Sequence, residues 1–533
     1  MNDPASNRSS TWILTAVFGL TPLVIFAFWL IQFPFGLVDD AYIPMVYARN
    51  LAAGHGIVFY PGGDHVEGYS SPLWMALLSA CAILRLSLPS VAWISGILCG
   101  VGCLFLTFFL YRRVFNCDSK SWYRLHLWPC AAAMAVVADV GFVAWSASGL
   151  ETAAYTLLIL LLVYSLIQTQ NIRAHSLLLL LVSLTRPEGA AFLLPCLFLW
   201  LVRRQKLTTI FRNAGIYFLL PYFLFLLFRF FYFGYVFPNT FYAKHDFGGA
   251  ALVLRGLAYV GTFLRPRFLF CFVILWPLLE KEQLRQGGII LLFAVTHLLL
   301  VVLEGGDHFA LHRFLVPAIP LLSLLSVRGI ERCCDHMIFD KFDCSQSMRV
   351  RTAQVGIAAL MPLFFYAHGN QLFEYKANDR YGFSTGARRL ISEVAFADNW
   401  SKMGKWLKEK YPPDTTIAVI TAGAIPYYSE LRCIDLLGMN DVEVAHTPAR
   451  DPSRRYAGHE KSNPDSVLTR EPRFVQLFPL LFISSKPYPE ERLQELFAYP
   501  AQYDLWNHPL FRERYEYMTE ETEYGFISYF ERR

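Results

Sequence analysis

Charge is scarce in this chain: only 17% of its 533 residues are Asp, Glu, Lys or Arg, against 55% hydrophobic residues. Soluble domains carry about 25% charged residues, so this balance, with a mean hydropathy of +0.36, assigns the chain to a bilayer. The formal net charge of +5 is small for the length and spread through loops, which excludes a nucleic-acid footprint. A disulfide framework is missing too. Cys81, Cys99, Cys103, Cys130, Cys196 and Cys271 sit inside apolar runs as small hydrophobes, and Cys333, Cys334, Cys344 and Cys433 have neither disulfide nor zinc-site spacing. There is no internal repeat and no low-complexity tract. The apolar run from Trp12 to Ile31 is too long for a signal peptide and lacks a small-residue cleavage site, so it is expected to remain as a span.

What is present is a series of apolar segments, near 12–31, 71–88, 91–111, 127–147, 152–168, 176–184, 190–202, 214–233, 256–279, 288–303, 312–327 and 353–367. Loops 112–126, 203–213 and 328–352 are rich in Lys and Arg and are expected on the cytoplasmic side. Parity then requires one crossing between residues 70 and 112 where two segments lie. Ser71 to Leu88 is therefore expected to lie along or dip into the outer face, while Val91 to Tyr111 crosses. The fold class that follows is a polytopic α-helical membrane protein of about 11 spans. Residues 1–367 form the membrane module, with a first outer loop at 34–90, and residues 368–533 form a soluble α/β domain on the outer side. In that domain Asp398 is expected to cap a helix ending at Lys410. Strands are expected at Thr415–Ile420, from Cys433, at Phe474–Phe478, Leu481–Ser484 and Tyr524–Phe530.

This topology gathers every strong polar cluster of the membrane part on the outer face, where ionisable groups beside spans mark a site. Asp39 and Asp40 follow the first span. Two neighbouring carboxylates cannot both point the same way, so one can face a cavity while the other caps the next helix. The one facing the cavity would take the proton of a hydroxyl attacking a sugar's anomeric carbon. Arg186, Lys244, His308, His312 and Arg313 supply actual or potential cations suited to a phosphate leaving group. Glu67, Glu151, Glu188, Asn239 and Asp307 are candidates to hold sugar hydroxyls or orient those cations, and Tyr42 to stack on a sugar ring. His308 and His312 also have helical metal-ligand spacing, with Asp307 beside them. No His-Glu-x-x-His pattern accompanies them and Arg313 would repel a cation, so no cofactor is assigned and a divalent cation has no motif behind it.

The ordered segments Asp39-Asp40-Ala41-Tyr42-Ile43, Val66-Glu67-Gly68-Tyr69-Ser70-Ser71-Pro72, Ser148-Gly149-Leu150-Glu151, Thr185-Arg186-Pro187-Glu188-Gly189, Pro238-Asn239-Thr240-Phe241-Tyr242-Ala243-Lys244, Gly305-Gly306-Asp307-His308 and Gly458-His459-Glu460-Lys461 resemble the mycobacterial terminal arabinofuranosyltransferases and related Gram-negative arabinosyltransferases, some of which decorate type IV pilins. The resemblance implies a GT-C glycosyltransferase of the bacterial inner membrane, its active site and C-terminal domain facing the periplasm. It implies a polyprenyl-phosphate-linked arabinofuranose donor and a glycan, glycolipid or glycoprotein acceptor. It places the base on Asp39 or Asp40 and the donor phosphate contacts on Arg186, Lys244, His308 and Arg313. The mycobacterial relatives are richer in alanine and have a larger outer domain, so acceptor identity does not carry over. The alternatives are hexosyl transfer, such as mannosyl transfer, on the same fold, and a flippase or transporter for lipid-linked sugars. A transporter would collect polar groups at the midplane between repeated halves, and this sequence has no repeat.

Overall fold

A computed structural model describes residues 19–115, 123–244, 249–267, 281–334, 377–378, 383–384, 387–449, 458–478 and 484–533. The expected span at 353–367, the 367/368 boundary and most of the 328–352 loop lie outside these residues.

Helix Leu88–Phe115 has 28 residues and ends on Arg112 and Arg113. At 1.5 Å per residue it is about 42 Å long, more than the hydrocarbon thickness of a bilayer. It leaves Leu98, Phe105 and Phe109 exposed, and the 27-residue run Leu207–Phe233 likewise exposes Ile216, Leu220, Phe223, Leu224 and Phe231. Their spacing is that of one helix face, and an apolar face of that size needs lipid against it. By contrast Pro72–Ile83 has 12 residues, about 18 Å of helix, too short to cross. It is pinned by the Trp74 indole N–H, which donates to the carbonyl of Gly149 at 3.2 Å.

Among the described residues two helices are long and apolar enough to cross a membrane, and three if Leu125–Val137 and Val140–Ser146, bent by 71°, form one span. Six shorter apolar helices accompany them. The bend falls at Asp139, whose carboxylate accepts the N–H of Gly141 at 2.9 Å and pairs with Arg267. A second break separates Ile172–Thr185 from Pro187–Phe192 and Leu193–Val202, with Arg186 extended between them (φ −150°, ψ 138°). Pro187 enforces it, because a residue before proline avoids the helical region.

The C-terminal domain carries a five-stranded mixed sheet made of β1 (Thr416–Val419), β2 (Arg432–Asp435), β3 (Phe474–Val475), β4 (Tyr515–Thr522) and β5 (Gly525–Arg532), in the order β2-β1-β3-β5-β4. β1 runs parallel to β2 and β3, and β5 pairs antiparallel with β3 and β4. Alternation divides β1 between two cores. Ile417 and Val419 join the core that continues through helix Ala387–Lys410 into the membrane part. Ala418 joins Ile434, Val475 and Phe530 under helices Pro500–Trp506 and Pro509–Arg514. Four of the expected strands have counterparts here. Of the fifth, residues 481–483 lie outside the described residues, while Ser484 forms an isolated bridge to Phe526. Asp398 caps nothing: the helix begins at Ala387, and Asp398 pairs at mid-helix with Lys402 at 2.7 Å.

A polar seam joins the two parts. Tyr47 donates its hydroxyl to Asn440 Oδ1 at 3.1 Å, and Asn440 donates its side-chain amide to Asp435 at 3.0 Å. The Asp435 carboxylate is fully buried and also accepts the N–H groups of Leu437 and Asn440. Only glycine fits at position 68, where an added Cβ would lie 1.8 Å from Asn440 Oδ1.

Candidate active site

Between the two parts lies a cavity of about 370 Å³, lined by the loop that carries Asp40 and residues 68–71, the break at Arg186, the turn at Asp307 and, from the C-terminal domain, Met439. Asp39 and Asp40 occupy one 3-10 turn, Asp39–Ala41, and their side chains diverge. Asp40 lines the cavity. Among the described residues no group donates a hydrogen bond to its carboxylate. Burial raises its pKa above the ordinary aspartate value, opposed by the positive charges of Arg313 and Lys244.

Asp39 turns the other way. Its carboxylate accepts the N–H of Gly423 at 3.1 Å and of Ala424 at 2.7 Å, holding the start of helix Ala424–Ser429 against the Asp39–Ala41 turn. Burial pushes it up to about 7, against the lowering effect of the Ala424 N–H and with the Asp40 charge adding to the rise.

Three cations line the same cavity, Arg186, Lys244 and Arg313. Arg186 is held between Glu151, at 3.0 Å, and Glu188, with its guanidinium 4.4 Å from the Phe314 ring centroid. Arg313 pairs with Asp307 at 2.6 Å. The turn between them is strained: Leu311 (φ 57°) and His312 (φ 51°) sit in the left-handed region that non-glycine residues avoid, and so bring Arg313 back onto Asp307. Burial alone would raise the Asp307 carboxyl, but the Arg313 charge and hydrogen bond, with the Lys244 charge, lower it below the carboxylate range. Lys244 ends helix Asn239–Lys244 and makes no ion pair within 4 Å among the described residues. It is the one cation of the three left for an incoming anion. His308 lines the cavity as well, but burial holds its imidazole well below its usual pKa, so at neutral pH it is a neutral hydrogen-bonding group and not a cation.

The remaining expected residues lie elsewhere. Tyr42 packs on Tyr427 and Tyr428, ring centroids at 5.5 and 5.7 Å. Glu67 forms a buried ion pair with Arg229 at 2.7 Å. Asn239 donates to the carbonyls of Gly438 at 2.8 Å and Met439 at 3.1 Å, and so fixes the cavity wall without facing the cavity. His312 contacts Thr262 Oγ1 at 3.0 Å and the Tyr259 and Phe263 rings. The positive φ angles abolish the helical spacing on which a His308–His312 metal pair depends, and among the described residues no three His, Cys, Asp or Glu side chains are grouped to hold a metal ion.

Glu304 also lines the cavity, though nothing in the sequence reading singled it out. Its signal was a lone carboxylate ending an apolar run, directly before Gly305-Gly306.

A domain of unknown function, DUF8728, matches residues 389–530, a stretch that carries the five-stranded sheet. No curated protein matches the chain. Among solved structures the chain is similar to ArnT from Cupriavidus metallidurans bound to undecaprenyl phosphate, at 12% identity and a TM-score of 0.55, over 97% of this chain and 98% of that one. It is similar to the apo state of the same protein at 13% identity and a TM-score of 0.53, over 98% of each chain. ArnT is a GT-C glycosyltransferase, and the likeness runs through both the membrane part and the C-terminal domain. The fold of this chain is therefore the GT-C membrane fold with a small C-terminal sheet domain.

Proposed function

We propose that this protein is a polyprenyl-phosphate-sugar-dependent glycosyltransferase with Asp40 as its base. The observation that carries the reading is the Asp40 carboxylate, which among the described residues accepts no hydrogen bond, in the same cavity as Lys244 and in a fold of which one solved example is bound to undecaprenyl phosphate. Asp40 removes the proton of the acceptor hydroxyl as its oxygen attacks the anomeric carbon. The bond from that carbon to the phosphate oxygen breaks, and polyprenyl phosphate leaves with the electron pair. Lys244 and Arg313 stabilise the departing charge, as compact ammonium and planar guanidinium respectively. Arg186, fixed by Glu151 and Glu188, positions the sugar hydroxyls.

The ordered resemblance to arabinofuranosyltransferases supports D-arabinofuranose as the transferred sugar and a hydroxyl of a surface glycan, glycolipid or glycoprotein, type IV pilin included, as its acceptor. The same reading gives about 11 spans in the bacterial inner membrane, a membrane module at 1–367, and a periplasmic domain at 368–533 beside the active site. Purified protein incubated with synthetic polyprenyl-phosphoryl arabinofuranose and a surface-glycan acceptor should release polyprenyl phosphate. Release from a mannosyl donor in its place would move the assignment to a hexose.

A further inference from the structure

Gly458-His459-Glu460-Lys461 has no part in the mechanism above, yet it lies against the cavity. A Cβ at Gly458 would meet Lys244 Cγ at 3.1 Å, and the His459 ring lies 5.1 Å from that of His308. The N–H groups of Gly458 and His459 donate to Glu460 Oε2 at 2.8 and 3.0 Å, which leaves Oε1 buried without a hydrogen-bond partner. Burial raises the Glu460 carboxyl to about 7, with the Arg255 charge among the influences that lower it. Arg255 stands on helix Gly249–Leu264, one turn beyond the cavity-lining Leu252. It is 9% exposed, and among the described residues its Nε and Nη2 have no hydrogen-bond partner. Among the same residues no ion pair joins it to Glu460, and the buried Ser462 hydroxyl has no hydrogen-bond partner.

Buried groups are almost always hydrogen-bonded, so donors and an acceptor of opposite charge that fail to pair require a third party. An anion in the gap would meet Glu460 and a cation would meet Arg255. Neutral hydroxyls suit both, since each can accept from the guanidinium and donate to the carboxylate. We infer that Arg255 and Glu460 hold a vicinal diol of the acceptor sugar, in a subsite that adjoins the cavity across His308. The inference rests on the glycosyl-transfer reading, which assigns the phosphate side of the cavity to the donor and leaves this side to the acceptor.

The test uses full-length protein in detergent with two probes. Methyl α-D-arabinofuranoside is followed by saturation-transfer NMR and undecaprenyl phosphate by native mass spectrometry. The wild-type protein should transfer saturation to the glycoside. Arg255→Met and Glu460→Gln should each weaken that signal about tenfold and leave undecaprenyl phosphate binding unchanged. Glu460→Gln keeps an oxygen for the two N–H groups, and so serves if Arg255→Met fails to fold. Equal glycoside signals in wild type and variants, no signal in the wild type, or displacement of the glycoside by inorganic phosphate would each overturn the subsite. Loss of undecaprenyl phosphate binding by the wild type would strike the glycosyl-transfer reading and is recorded separately from the glycoside result.

Discussion

The seam between membrane part and C-terminal domain and the cavity beside it are both built from buried carboxylates, used in opposite ways. At the seam, Asp39 and Asp435 are saturated with backbone N–H donors. At the cavity, Asp40 meets side-chain charge and, among the described residues, no donor, and Asp307, Glu151 and Glu188 are committed to cations. Carboxylates that accept fixed N–H groups hold a backbone in place. One that faces open volume with cations lining the same cavity is available for chemistry. Adjacent positions in the chain, 39 and 40, fall on the two sides of that division.

The largest way to break the comparison is at the cavity. Asp40→Asn removes the base and should lower transfer by about 10²–10⁴-fold, with the thermal unfolding midpoint close to that of the wild type. Lys244→Met should raise the KM for donor by about tenfold, the loss of one charge-assisted contact. It should also shift the rate-pH profile. Lys244 lowers the Asp40 pKa, so its removal moves the ascending limb of the profile to higher pH.

The seam answers to stability measurements instead. Gly68→Ala forces a methyl against Asn440 and should destabilise by about 1–3 kcal/mol, read from the unfolding midpoint, with transfer reduced only as far as the domains separate. Asp39 gives a pH signature. Its folded-state pKa of about 7 lies above the ordinary 3.8, so folding takes up a proton between those values. Its contribution to stability is present at the acidic end of that window and is lost as pH rises through it. Asp39→Asn should flatten that fall when unfolding is followed from pH 4 to about 7.5. The smallest effect belongs outside both regions: Asp398 and Lys402 are a surface pair, and Asp398→Ala should change stability by less than about 0.5 kcal/mol.

The sequence showed the cavity more plainly than the seam, for a physical reason. Polar residues interrupting apolar runs are costly and stand out, so Asp40, Arg186, Glu188, Lys244, Asp307 and Arg313 were all visible as candidates, and all line one volume. Their neighbours Glu67 and Asn239 stood out equally. Their partners, Arg229 at 162 positions and Gly438 at 199, are set by tertiary contact and have no local trace. The choice between Asp39 and Asp40 was equally hidden, since it depends on where Gly423 and Ala424 dock. In the C-terminal domain the apolar strands were legible, whereas β4, with Glu516, Glu520 and Glu521 on a sheet edge, reads as a polar tract. The spacing of His308 and His312 misled because a strained turn replaced the helix it assumed.

The division between neighbouring aspartates is tested most directly by the rate at which polyprenyl phosphate is released from a synthetic polyprenyl-phosphoryl sugar, compared between Asp39→Asn and Asp40→Asn. The account predicts that Asp40→Asn is nearly inactive, while Asp39→Asn, which keeps an oxygen to accept from Ala424, retains most of the rate at a temperature where it is folded. Loss of turnover in Asp39→Asn with Asp40→Asn still active would contradict it.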